Sequence, residues 1–187
     1  MAIALPYYGQ RTNGQTIDTS AGYTCAVCLS VQETQTVPTL NGVPMSTACA
    51  NVNNSGIYYL NSPSGTYTIG NITNAVYFLL FTGTDGIRGG ASASTAVATP
   101  SIVSIPSDYD DVILVVAQST GGYTRSTKVN GSLVTYIVSY IYGYRITDSE
   151  SAEITTTFDA GATLYYSYAS LKSLVISDRS TFMTMIV

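Results

Sequence analysis

The residues of this chain that could carry out chemistry are few. The sequence has no histidine, so the commonest general base of enzymes is missing. A serine or cysteine nucleophile would need a lysine, a carboxylate or a terminal amine to activate it instead. The only lysines are Lys128 and Lys172, and neither lies in a recognisable nucleophile motif. We therefore expect that the protein is not an enzyme.

Two of the three cysteines have the spacing of a redox or zinc motif. Cys25 and Cys28 form a C-x-x-C pair, while Cys49 adds no evident disulfide framework. In a β-strand, however, residues three apart lie on opposite faces, and a zinc ion would need a fourth ligand. We interpret Cys25 and Cys28 as small buried residues of a strand.

The best carboxylate cluster lies in one turn and consists of Asp108, Asp110 and Asp111. Three acidic side chains in a turn could hold Ca²⁺ through oxygen ligands. The alternative is an Asp-rich turn that caps backbone amides and keeps a sheet edge soluble. We favour the second interpretation, and we predict no metal site and no cofactor.

Tyrosines supply the candidate contact surface. In a strand, alternation places Tyr136, Tyr140, Tyr142 and Tyr144 on one face. With Tyr165, Tyr166 and Tyr168, they could form a flat aromatic surface for sugars, because a tyrosine ring offers an apolar face and a hydroxyl group. Alternatively, they fill the body of the protein or a contact between subunits, where tyrosine is enriched. We favour packing.

The composition limits the possible partners. Charged residues make up only 10% of the chain and hydrophobic residues 45%, against a usual charged share of about 25%. The net charge of −4 argues against a nucleic-acid partner, which would require a basic patch. No apolar run approaches the length of a membrane-spanning helix, so we expect no membrane partner.

The elements that must position these residues have the pattern of short strands. Residues 55–85 predict strand, turn, strand, turn, strand, and residues 75–81 are apolar on both faces. Residues 37–46 predict an edge hairpin around Asn41-Gly42, whereas 50–56 and 83–90 are interpreted as loops. Residues 133–145 give the longest strand signal. About nine or ten strands predict an all-β fold, an antiparallel β-sandwich.

The N-terminal segment lacks periodicity and is predicted to be an extended arm. We divide the chain into an arm over residues 1–14 and a single β-sandwich domain over residues 15–187. Four large residues of the arm would not need to be apolar if it were free in water: Ile3, Leu5, Tyr7 and Tyr8. The arm can dock on a neighbouring subunit or fold back on its own domain, and the sequence leaves both interpretations open.

Several segments together resemble a jelly-roll β-sandwich module of phage virion proteins and related bacterial extracellular proteins. The resemblance extends over about residues 23–187. It rests on strand and turn signatures in residues 23–31, 38–45, 57–60, 63–69, 75–85, 101–106, 112–116 and 178–181. The resemblance implies a jelly-roll-like topology and a role as a surface, decoration or adhesion domain.

We therefore expect a structural virion protein, most simply a phage capsid decoration, cement or minor surface protein. Its partners would be copies of itself, in a homo-oligomer, and other virion proteins such as the major capsid protein. The alternative is a carbohydrate-binding or host-adhesion module on a phage fibre or tail. Residues 1–6 lack the basic region of a signal peptide, so we expect synthesis in the host cytoplasm and location in the virion.

Overall fold

The protein is described by a computed structural model. The described residues are 9–30, 36–52, 55–95, 101–104, 111–120, 126–129, 132–134, 136–138, 141–146, 151–157 and 163–173. These ranges contain strands and turns and no helix. All pairs of neighbouring strands are antiparallel. The prediction of an all-β antiparallel fold is therefore confirmed, while the number of strands in the whole chain stays a prediction.

Eighteen strands lie within the described ranges. In chain order they are β1 (Gly9–Arg11), β2 (Thr16–Asp18), β3 (Cys25–Ser30), β4 (Thr39–Leu40), β5 (Val43–Pro44), β6 (Ser46–Val52), β7 (Ser55–Asn61), β8 (Thr66–Gly70), β9 (Val76–Phe81), β10 (Thr84–Thr95), β11 (Ser101–Ser104), β12 (Asp111–Thr120), β13 (Ser126–Val129), β14 (Ser132–Val134), β15 (Tyr136–Val138), β16 (Ile141–Ile146), β17 (Ser151–Thr157) and β18 (Thr163–Ser173).

Within the described residues these strands form four sheets. The central sheet has the order β1-β9-β3-β7-β6, and the small sheet has the order β2-β8-β4-β5. The long-strand sheet has the order β10-β18-β12-β16-β15, and the fourth sheet has the order β11-β17-β13-β14. Most neighbours are distant in sequence, so the sheets are held by long-range pairing rather than by hairpins alone.

The central sheet has buried side chains on both faces because its inner strands β3 and β9 carry apolar residues at consecutive positions. In β9, Leu79 and Phe81 lie in one cluster of buried side chains, whereas Phe78 and Leu80 lie in another. This pattern confirms the prediction of a strand covered on both sides.

The cluster that contains Phe78 and Leu80, the small-sheet core, joins the central sheet to the small sheet. Its buried members are Ile17, Ala26, Cys28, Leu40, Met45, Tyr58, Ile69, Ile72, Val76, Phe78 and Leu80. The cluster that contains Leu79 and Phe81, the long-strand core, joins the central sheet to β18 of the long-strand sheet. Its buried members are Cys25, Val27, Leu29, Cys49, Ile57, Leu79, Phe81, Ala169 and Leu171.

The hairpin at Asn41-Gly42 forms as predicted. Thr39 and Leu40 pair with Pro44 and Val43, and β5 lies at the edge of the small sheet. Asn41 and Gly42 have φ values of 51° and 79°, which is the conformation of a type I′ turn. Pro44 is tolerated because an edge strand leaves one side of its backbone without a ladder partner.

Two segments that were predicted to be loops are strands. Residues 50–56 fall largely within β6 and β7, and residues 83–90 fall largely within β10. Their small and polar residues resemble loop composition, yet β10 pairs with β18 along Thr84–Thr95. Pairing with a distant strand therefore overrides weak local propensity.

The single strand predicted over residues 133–145 is also wrong. The described residues of this segment belong to β14, β15 and β16, and β15 pairs with β16 in antiparallel fashion, with Tyr136 opposite Tyr142. The chain therefore reverses direction between these two strands. The alternation of apolar and polar residues continues across such a reversal, so the sequence pattern alone does not indicate the turn.

Candidate binding surface

The three cysteines are buried structural residues. Cys25 and Cys28 lie in β3, Cys25 in the long-strand core and Cys28 in the small-sheet core, so the strand separates them onto opposite faces. Cys49 is buried in the long-strand core, and all three thiols are free. The interpretation of the C-x-x-C pair as buried strand residues is therefore confirmed.

Burial also suppresses the reactivity of these thiols. It raises the pKa of Cys25 to about 12, because the thiolate would lose its hydration inside the protein. Burial likewise raises the pKa of Cys28 well above its ordinary value. A thiol that stays protonated at neutral pH is a poor nucleophile and a poor metal ligand.

The carboxylate cluster is only partly within the described residues. Asp108 and Asp110 lie outside them, and Asp111 begins β12, where it stands opposite Ile146 on one side and Lys172 on the other. Within the described side chains, no group of three potential metal-ligating residues occurs. The interpretation of Asp108, Asp110 and Asp111 as a capping turn stays a prediction.

The register of the long-strand sheet brings tyrosines from three strands into one row. Tyr136 in β15 stands opposite Tyr142 in β16, and Tyr142 stands opposite Val115 in β12. Val115 stands opposite Tyr168 in β18, which in turn stands opposite Ala91 in β10. Residues directly opposite each other share a face of the sheet, so these five positions form a row across all five strands. We call it the tyrosine row.

Neighbouring rows add two further tyrosines to this face. Tyr144 stands opposite Ile113, and Tyr166 stands between Ala93 and Ala117. These positions are two residues from members of the tyrosine row, so alternation places them on the same face. Tyr165, one position away, falls on the other face, and Tyr140 lies outside the described residues.

Two buried residues of β18 show which face of the sheet this is. Ala169 and Leu171 are fully buried in the long-strand core, against the central sheet. Tyr166 and Tyr168 occupy the alternate positions of the same strand, so the tyrosine row belongs to the face directed away from that core. The sequence pattern indicated the aromatic alternation, but only the strand pairing joins β15, β16 and β18 into one surface.

Among the residues predicted for the N-terminal arm, the structure describes those from Gly9 onward. Gly9–Arg11 form β1, which pairs with β9 at the edge of the central sheet. Asn13 holds this entry in place, since its side-chain amide donates to the Ile72 carbonyl (2.7 Å) and its Oδ1 accepts from the Ile72 N–H (3.0 Å). Ile3, Leu5, Tyr7 and Tyr8 lie outside the described residues.

No helix among the described residues is long and apolar enough to cross a membrane. Comparisons with protein-family models, with curated proteins and with solved structures find no match to this chain.

Proposed function

We propose that this protein is a structural component of a virus particle, a jelly-roll-like decoration, cement or minor surface protein of a phage capsid. It docks on neighbouring subunits through the face of the long-strand sheet that bears the tyrosine row. The observation that carries the proposal is this row, which assembles tyrosines from three strands on the face directed away from the long-strand core.

The chemistry of this face suits docking between proteins. Most positions in and beside the tyrosine row carry tyrosine, valine, isoleucine or alanine, with Ser170 opposite Ile113, and charged residues are sparse in the chain as a whole. Tyrosine is enriched at protein interfaces and charged residues are depleted at their centres. A large aromatic surface of this kind gains most when a neighbour covers it.

The N-terminal arm is the second part of the proposal. Gly9–Arg11 belongs to the protein's own central sheet, so the part that reaches a neighbour precedes Gly9. The arm carries Ile3 and Leu5, which favour an apolar contact. The resemblance to phage virion modules supports the same assignment, and the acidic net charge limits contact with packaged nucleic acid.

Sedimentation of the purified protein over a range of concentrations tests the docking face, and mass spectrometry of virus particles from the source of the sequence tests its location. We expect self-association that the double variant Tyr142→Ala, Tyr168→Ala weakens by roughly tenfold or more, because hot-spot aromatics dominate interface energy. Tyr67→Ala, on the small sheet, serves as the control and should leave association unchanged. A monomer at all concentrations that is absent from particles would overturn the proposal.

A carbohydrate-binding or host-adhesion module is the second candidate, and the same row favours it. Tyrosines aligned across a sheet offer stacking faces for sugar rings and hydroxyl groups for hydrogen bonds. Glycan-array binding that disappears in Tyr142→Ala and persists in part in Tyr142→Phe would favour this function. Binding to no glycan, together with association between subunits, would favour docking.

A further inference from the structure

The chain passes from the central sheet to the long-strand sheet between Phe81, the last residue of β9, and Thr84, the first residue of β10. Thr84 is only 1% exposed, so its polar groups need partners inside the protein. Its N–H donates to Thr24 Oγ1 (3.2 Å), and its own Oγ1 accepts from the Gly86 N–H (3.0 Å). The Thr24 N–H donates to the Phe81 carbonyl (2.7 Å). These hydrogen bonds tie the start of β10 to the end of β9.

A β-bulge follows Thr84. The register of β10 on β18 shifts between Thr84 and Gly86, so Asp85 is the extra residue. A bulge interrupts the ladder of hydrogen bonds, and at this point Thr84 Oγ1 accepts the Gly86 N–H. Gly86 has a φ of 105°, a backbone conformation that favours glycine. The bulge thereby directs a bare Cα toward the neighbouring strand of the central sheet.

The side-chain amide of Asn61, the last residue of β7, lies against this Cα. A Cβ added at Gly86 would lie 2.6 Å from Asn61 Nδ2 and closer still to its Cγ and Oδ1. The same Oδ1 accepts a hydrogen bond from the Cys25 thiol (3.4 Å), and Cys25 stands opposite Asn61 in β3. A backbone hydrogen bond from Ile87 also reaches the Cys25 sulfur. One amide and one thiol therefore join two strands of the central sheet to β10.

This contact adjoins the long-strand core. Ile87, the residue after Gly86, packs against that core and stands opposite Leu171 of β18, which is fully buried in it. Among the side chains that the structure describes, the small-sheet core includes none from β10 or β18. Loss of the contact at Gly86 would therefore loosen the cover of the long-strand core without touching the small-sheet core.

We propose that the Asn61 amide, seated on Gly86 and bonded to the Cys25 thiol, is a latch that holds the long-strand sheet on the central sheet. When the latch is released, the long-strand core opens while the small-sheet core stays closed. Gly86 is the second half of the latch, because a side chain at this position would displace the amide. This inference does not depend on the proposed function, since it concerns only how the two sheets are held together.

Cysteine labelling tests the latch, because the chain carries a thiol probe in each core. A thiol reagent is added to the folded protein, and peptide mass spectrometry gives the labelling rates of Cys25 and Cys28. We expect Asn61→Ala to speed labelling of Cys25 by roughly tenfold or more, because a buried thiol reacts only when its core opens. Cys28 should stay near the wild-type rate. Asn13→Ala, which removes an amide bonded to the Ile72 backbone, is the matched control and should leave Cys25 unchanged.

Two substitutions of glycine separate the latch from backbone strain. Gly86→Ala displaces the Asn61 amide without removing it, and it should also speed Cys25 labelling by roughly tenfold or more. Gly65 has a similar φ of 89°, but nothing lies within 4 Å of a Cβ added there. Gly65→Ala therefore introduces the strain without the displacement and should leave Cys25 unchanged. Equal Cys25 labelling in the two glycine variants would overturn the proposal.

Labelling of the unaltered chain covers the case in which a variant fails to fold. If the long-strand core opens separately, Cys25 should react faster than Cys28 in the wild type, because Cys28 waits for the small-sheet core to open. A Cys25 rate no higher than the Cys28 rate would overturn the proposal. Equal acceleration of both cysteines in Asn61→Ala would do the same, because it would mean that the two cores open together.

Discussion

The two faces of the central sheet are covered by residues of very different origin. Among the residues whose side chains the structure describes, the buried members of the small-sheet core all lie within residues 17–80, in β2, β4, β8, the central sheet and the adjoining turns. The long-strand core includes Ala169 and Leu171, which belong to the last described range of the chain, residues 163–173. The small-sheet core is therefore built from residues in the first part of the chain, whereas the long-strand core joins that part to β18.

This difference assigns separate tasks to the two faces. The small sheet completes the first part of the fold. The long-strand sheet contributes Ala169 and Leu171 to the core on the other face of the central sheet, and alternation places the positions of the tyrosine row on its opposite face. The core-facing side of β18 is closely packed against the central sheet, and close packing leaves a strand little freedom to move. We therefore expect the tyrosine row to keep its geometry.

The largest effect is expected from the small-sheet core. Phe78→Ala removes a fully buried ring and should lower the free energy of unfolding by about 3–5 kcal/mol. Urea unfolding followed by circular dichroism measures the change. Val43→Ala is the control, since Val43 is 66% exposed in the edge strand β5 and its loss should cost less than about 0.5 kcal/mol. A loss for Phe78→Ala as small as for the control would contradict the buried cluster.

Leu171→Ala tests the coupling through the long-strand core. Leu171 is fully buried against the central sheet, so its truncation should cost about 2–5 kcal/mol. Hydrogen exchange should increase more in β18 than in β2 and β8, because the small-sheet core does not include β18. Lys172→Ala, at the next position and on the other face, is the control. Equal loss of protection in all three strands would show that the two cores unfold as one unit.

Asn13→Ala tests how firmly the entry to the central sheet is held. The variant loses two hydrogen bonds to the Ile72 backbone, and we expect a cost of about 1–2 kcal/mol. Gln10→Ala, in the neighbouring strand β1 with an exposed side chain, should cost less than about 0.5 kcal/mol. Similar losses in the two variants would mean that water replaces the Asn13 contacts.

Alkaline pH probes the buried thiol of the long-strand core. The pKa of Cys25 is raised from 9.0 to about 12 in the folded protein, so above about pH 9 the unfolded chain releases a proton that the folded chain keeps. Stability that is present at neutral pH is therefore lost as the pH rises from about 9 to about 12, with a Cys25 share of about 1.4 kcal/mol at pH 10.

Cys25→Ala should remove this share and flatten the dependence of unfolding free energy on pH. All other ionisable groups are common to both proteins, so their contributions cancel in the comparison. Identical pH profiles for the variant and the wild type would contradict the conclusion that burial of Cys25 disfavours its thiolate form.

Sequence reasoning succeeded where the signal lies within a few residues. The alternation around Cys25 and Cys28 separated two faces that the structure assigns to two cores. It failed at β10, whose glycine, serine and alanine residues carry little strand propensity of their own, and it merged β15 and β16 into one strand. The candidate surface was foreseen only as aromatic alternation in single segments.

The sequence by itself determined the all-β class, the Asn41-Gly42 turn and the two-sided burial of β9, because backbone preference and side-chain alternation act between near neighbours. Tertiary structure decided which strands are partners. Tyr142 and Tyr168 share the tyrosine row because each pairs with Val115 of β12, and the energy that selects such partners comes from packing between residues that are remote in the chain.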